Sequence, residues 1–246
     1  MEVCVDNLES ALAAYDGGAI RIELCSDLNA GGLTPSIGLL NEIRKRLPKF
    51  IIYVMIRCRS GDFIYDDYDL CVMEEEIQLF SKYNVDGYVF GALNPNGTIH
   101  LEALKRLIKH VPNDKSMTYH RAFDFVSNWK QAIDQLVELG FKRILTSGLE
   151  KNAYYGRKLI RQMTEYANKR ILIMPGCGID IGNLETILTE TGVTEFHASA
   201  RIKRLSTMIY KNPNVNIDND FDGVHVTDKE KVKMMVTIYN KVTKRL

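Results

Sequence analysis

The stretch RIELC, residues 21–25, decides the fold. Extended backbone sends successive side chains to opposite faces, so Ile20, Ile22 and Leu24 fall on one side and Arg21, Glu23 and Cys25 on the other. A strand with one oily face and one charged face fits a closed barrel. There the outward residues pack beneath helices, and the inward ones near the carboxyl end of each strand line a site. MEVCV, residues 1–5, is built the same way, with Val3 and Val5 outward and Glu2 and Cys4 inward. Two thiols are therefore expected on the inner wall of neighbouring strands.

Four segments share one grammar, an amphipathic helix closed by Gly or Asn and followed at once by a short strand: AYDGGAIRIELC, SKYNVDGYVFG, VELGFKRILTSG and TETGVTEFHASA. Alternation of this kind predicts parallel βαβ units, and its repetition without a low-complexity linker favours one closed array. About eight units can be counted, which gives an α/β fold, a (β/α)8 TIM barrel. A single domain over residues 1–246 is expected, close to the ~250 residues typical of such barrels.

With 32 basic and 31 acidic residues the net charge is +1, and no basic stripe suited to nucleic acid or an anionic membrane is present. No apolar run approaches the ~18 residues of a membrane span, and no basic, apolar leader opens the sequence. A cytoplasmic protein is expected. The cysteines, Cys4, Cys25, Cys58, Cys71 and Cys177, are odd in number and too few for a disulfide scaffold, and no CxxC pair occurs.

In chain order, the first helix is expected to begin at Asp6, which stands at capping-box spacing from Glu9, and to end at Gly17 and Gly18. The second has Thr34 as its cap and Pro35 at its first position. Later strands are placed at 51–57, 87–91, 116–120, 143–147, 171–174 and 195–200. Helices fall between them, and a last amphipathic helix runs from Thr227. The segment 201–223 is polar and irregular, a length of loop that usually forms a lid or binding element.

Placing the strand ends together gathers Cys4, Glu23, Cys25, Arg57, His120, Arg121, Asp124, His197 and Ser199 at one rim. Charged residues there either pair internally, for example Glu23 with Arg57, or meet a ligand. Two inward thiols beside Glu23 suit a soft metal such as Cu(I) or Zn(II), although free Cys also packs as a small hydrophobe. Cys58 and Cys177 fall on loops at the same rim, and Cys71 on a helix. The turn PGCG, with Gly176 and Gly178, precedes a helix, and the eighth strand ends in SAR at Ser199 to Arg201. Loops at these two positions in such barrels often hold phosphate.

RIELC, GGLTPS at 31–36, GDF at 61–63, FGAL at 90–93, HRAFD at 120–124, ILTSG at 144–148 and EFHASAR at 195–201 together resemble the CutC family, named for copper homeostasis. The resemblance covers nearly the whole chain, and MEVCV is similar to the eukaryotic members in particular. It implies a (β/α)8 barrel, a cytoplasmic protein, a homodimer or higher homo-oligomer, and copper ion as partner, with Cys4 and Cys25 as candidate ligands. Where the family usually reads RPRGGDF this chain has Cys58 and Ser60, and its PGCG replaces a turn richer in small residues.

Two functions compete. The first is a cytosolic Cu(I)-binding protein that buffers or passes copper through Cys4 and Cys25. The second is an enzyme acting on a small anionic or phosphorylated ligand. His120 or His197 would be its general acid or base, and Glu23, Arg57, Arg121, Asp124, Gly176, Gly178, Ser199 and Arg201 would bind the substrate. No inferred strand end carries Lys, so a Schiff-base mechanism is disfavoured.

Overall fold

The computed structural model describes residues 1–210, 212, 214 and 223–244. Eight short strands form one parallel sheet: β1 (Glu2–Val5), β2 (Arg21–Leu24), β3 (Ile51–Met55), β4 (Gly87–Phe90), β5 (Ser116–Tyr119), β6 (Arg143–Thr146), β7 (Leu172–Pro175) and β8 (His197–Ala198). Their order, β7-β6-β5-β4-β3-β2-β1-β8, is that of a (β/α)8 barrel. The seam lies between β7 and β8, which share no ladder. They meet at Gly176, where an added Cβ would lie 2.6 Å from Leu145 and 3.4 Å from His197.

The outer layer is α1 (Leu8–Asp16), α2 (Ile37–Arg46), α3 (Asp67–Ser81), α4 (Leu101–Ile108), α5 (Trp129–Glu138), α6 (Ala153–Ala167), α7 (Leu184–Thr191) and α8 (Lys229–Thr243). Outward strand residues such as Val3, Val5, Ile22, Leu24, Ile52 and Val54 join the main core beneath these helices. Inside the barrel a smaller cluster holds Cys25, Tyr53, Met55 and Val89. Gly87 makes room for it, because a Cβ there would stand 2.8 Å from the Tyr53 ring and 2.7 Å from the Ser116 carbonyl.

Two expected caps shift. Asn7, not Asp6, caps α1, accepting from the Ser10 amide at 2.8 Å. Asp6 instead accepts from the Leu28 amide and ties the β2–α2 loop down. Ser36 caps α2, because the Thr34 hydroxyl is already engaged, donating to Glu76 and accepting from the Arg57 amide. The segment expected to be irregular after β8 starts as a strand, β9 (Arg201–Leu205), paired antiparallel with β10 (Gly223–Thr227). An exposed two-stranded ribbon has no wholly buried face, so its alternation carries no hydrophobic signal. Most of the intervening stretch lies outside the described residues.

Candidate functional site

Register builds the site. Glu2 stands level with Arg21 on one neighbour and with His197 on the other, and Cys4 stands level with Glu23. All of these point inward and are buried. Cys4 Sγ, a Glu23 carboxylate oxygen and a His197 ring nitrogen lie within 4.8 Å of one another, the one such metal-competent group among the described residues. One Glu23 oxygen, Oε1, is buried with no hydrogen-bond partner among the described residues. A thiol, an imidazole and a carboxylate facing one another form a donor set that a soft or borderline metal fits.

A carboxylate orients the imidazole. His197 Nδ1 lies 2.8 Å from Glu2 Oε1. An ionised carboxylate can only accept, so Nδ1 carries the proton and Nε2 is left facing Glu23, at 3.8 Å. Glu2 is held in turn by Arg21, which also bonds Glu195 at 2.6 Å, and Arg143 reaches the same Glu195 at 2.7 Å. Burial opposes ionisation of Glu2, but Arg21 and then His197 outweigh it and hold its carboxyl down at about 2. Burial pushes Glu23 up to about 7, countered in part by His197 and reinforced by the Glu2 charge. At His197 burial favours the neutral ring, and the neighbouring Cys4, Glu23 and Glu2 overcome it, raising the imidazole well above its ordinary value.

Cys25 is not level with Cys4. It follows Leu24, which pairs with Val5, so it stands two residues beyond the Cys4–Glu23 level. The inter-strand register, which parity cannot reveal, sets the two inner-wall thiols apart. Cys25 packs with Tyr53, Met55 and Val89, and its Sγ lies 3.5 Å from Glu23 Oε2. Burial, then Glu23 and Cys4, push this thiol well up. The other sulfurs do not join the group. Cys58 turns to Asp69 at 3.6 Å, its thiol raised to about 11 by burial and that carboxylate. Cys71 lies against Arg106, and Cys177 Sγ bonds the Lys151 carbonyl at 3.4 Å.

Cys4, Glu23 and His197 line a cavity of about 280 Å³ at the carboxyl end of the barrel, together with Arg57, His120, Arg121, Cys177, Gly178, Ser199 and Arg201. The suggested Glu23–Arg57 pair does not form. Arg57 instead donates to the carbonyls of Ala30, Gly32 and Gly61, at 2.8, 3.2 and 2.8 Å, and lies over the Phe63 ring. His120 accepts at Nδ1 from the Ala122 amide, which places its proton on Nε2. Burial and Arg57 pull the ring down to about 3, so it is neutral, and its Nε2 proton has no acceptor among the described residues. Asp124 is turned away from the cavity: it accepts from Arg121, Thr146, Ser147 and Leu149 and pins the β6–α6 loop. Gly176 lies at the β7–β8 seam rather than on the cavity wall.

Sequence reasoning passed over Glu2, Arg143 and Glu195 as parts of the site. Glu2 was legible as inward by parity, but its two partners depend on the β1–β8 closure. Glu195 precedes β8, and no local pattern marks it as a bridge between two arginines.

Residues 1–202 match the model of the CutC family. The chain belongs to the CutC family. The Homo sapiens copper homeostasis protein cutC homolog is 44% identical over 242 residues, spanning 97% of this chain and 88% of that protein. A CutC family protein of Aliivibrio fischeri is 44% identical over 236 residues, 94% of this chain and 95% of that protein. The crystal structure of a CutC protein from Streptococcus agalactiae aligns at a TM-score of 0.77 with 38% identity, covering 80% of this chain and 97% of that one. Phosphoribosyl anthranilate isomerase of Thermotoga maritima, at a TM-score of 0.56 and 14% identity over 100% of this chain and 98% of that one, shares the barrel fold alone. No helix among the described residues is long and apolar enough to cross a membrane.

Proposed function

We propose that this chain takes part in copper homeostasis by holding Cu(I) in the mouth of its barrel, with Cys4 Sγ and His197 Nε2 as donors and Glu23 beside them. The observation that carries the reading is the buried Cys4–Glu23–His197 group with its unpartnered carboxylate oxygen. Copper is the cargo of such a site. A thiolate and an imidazole are ligands that Cu(I) accepts, and the harder Glu23 oxygen would favour Zn(II) if it binds directly. Cys25 is a neighbour of the site in this reading, its thiol protonated and packed in the inner core. The described cysteines are free, which accords with a reducing cytoplasm, where we place this role.

The test is a Cu(I) titration of the reduced protein, without oxygen, against a competing chelator. Cys4→Ser and His197→Gln should each weaken binding by about tenfold or more, and Cys25→Ser should leave it little changed. Equal affinity in wild type and Cys4→Ser overturns the reading. Loss of binding in Cys25→Ser alone would return the assignment to that thiol, and Zn(II) binding more tightly than Cu(I) would change the cargo.

A further inference from the structure

We propose that the same cavity contains a second subsite, separate from the thiol group, that binds a small oxyanion between Arg57 and His120. Arg57 is 4% exposed and lines the cavity. Its three donated bonds all end on backbone carbonyls, and among the described residues no carboxylate pairs with it. Those carbonyls take up Nη1 and Nη2 without neutralising the charge, and Nε is buried with no partner among the described residues. A buried cation with no counter-ion is costly, and a bound anion removes that cost.

His120 supplies the second, independent observation. It is 3% exposed, and its Nε2 is buried with no partner among the described residues. The Nδ1–Cε1 edge of the ring is used up: Nδ1 accepts from Ala122, and Gly91 lies so close that a Cβ there would stand 2.8 Å from both Nδ1 and Cε1. The residue lines the cavity, and its Nε2 proton is the polar group of the ring left without a partner. Arg57 and His120 also flank one ring, Phe63, with the guanidinium 5.0 Å and the imidazole 4.8 Å from its centre. An orphan donor and an uncompensated positive charge on one aromatic platform are the two features an oxyanion needs.

The rest of the cavity agrees in sign. Arg121 and Arg201 also line it, and Glu23 is the one carboxylate among the described lining residues. At about 280 Å³ the space exceeds what one metal ion fills, since a water molecule takes ~30 Å³ of liquid. The ligand class is a small oxyanion, either a carboxylate or a phosphate group, and the subsite does not depend on the copper reading.

The experiment uses full-length copper-free Cys4→Ser protein, so that metal binding cannot contribute. It is titrated separately with inorganic phosphate and with malonate, against sodium chloride at matched ionic strength. Binding is followed by calorimetry and by the 15N signal of His120 Nε2. One of the two anions is expected to bind and to move that signal. His120→Phe, which keeps a ring on Phe63, should weaken this binding about tenfold or more, the worth of one charge-assisted hydrogen bond. Arg57→Gln should abolish it if folded, and Arg57→Lys preserves the charge where Gln does not fold. Response to phosphate alone assigns a phosphate group, and response to malonate alone a carboxylate. The proposal is overturned if neither anion moves the His120 signal, or if His120→Phe binds as tightly as its parent.

Discussion

Glu2 is the residue on which the interior chemistry turns, because its two oxygens serve two different partners. One accepts from Arg21 and the other from His197 Nδ1. Glu2→Gln keeps the shape but removes the charge, leaving Arg21 with Glu195 alone and weakening the hold on the imidazole. Breaking a buried pair by removing one partner costs about 3–5 kcal/mol. Urea unfolding of Glu2→Gln should show a loss in that range, and a loss below about 1 kcal/mol would mean that Glu195 suffices for Arg21. Metal affinity should fall about 10–100-fold with the outer-shell partner disturbed. At this scale the sequence was half legible. Alternation placed Glu2, Cys4, Glu23 and Cys25 inward, because parity is a local property of extended backbone. It could not rank Cys4 above Cys25 as a neighbour of His197, because inter-strand register is set by tertiary closure.

At the scale of elements, close backbone approach matters more than side-chain identity. Gly156 in α6 lies against the β6–α6 loop, and a Cβ there would fall 1.9 Å from the Ser147 carbonyl oxygen and 2.9 Å from Gly148 Cα. Backbone cannot swing aside as a side chain can, so Gly156→Ala has to push helix and loop apart. Overpacking of this kind costs about 1–3 kcal/mol, occasionally more, and about 3 kcal/mol or above is expected here. Gly192, the C-cap of α7, has φ 68 and nothing within 4 Å of an added Cβ. Gly192→Ala should therefore cost only the left-handed strain, about 1 kcal/mol. Parallel chemical denaturation of the two variants compares them, and equal losses would mean that the α6 contact yields easily. The helices themselves were legible from their apolar stripes and terminal glycines. Their caps were not, because Asp6 and Thr34 had stronger claims elsewhere, on Leu28 and on Glu76. The β9–β10 ribbon was missed because solvent on most of its surface leaves no apolar alternation.

The barrel as a whole carries one more consequence of its polar interior, an acid-sensitive stability. His120 from the β5 end is enclosed by Arg57 from the β3–α3 loop, by Phe63 and by Tyr119. Burial first, and the Arg57 charge second, lower it from 6.5 to about 3. Between those values the unfolded chain takes up a proton at this residue and the folded chain does not. Stability from the neutral ring is therefore complete above pH 6.5 and is lost as pH falls toward 3, at up to about 1.4 kcal/mol per pH unit. Glu2 and Glu23 titrate nearby, so the total profile mixes several slopes. The difference between wild type and His120→Phe isolates the one at issue, since the other groups are common to both. Unfolding free energies measured from pH 7.5 to 4.5 should show wild type losing ground to the variant below pH 6.5, with a constant gap above it. A gap that stays constant to pH 4.5 would mean that His120 takes up its proton in the folded barrel as readily as in the unfolded chain, and the neutral buried donor would have to be given up.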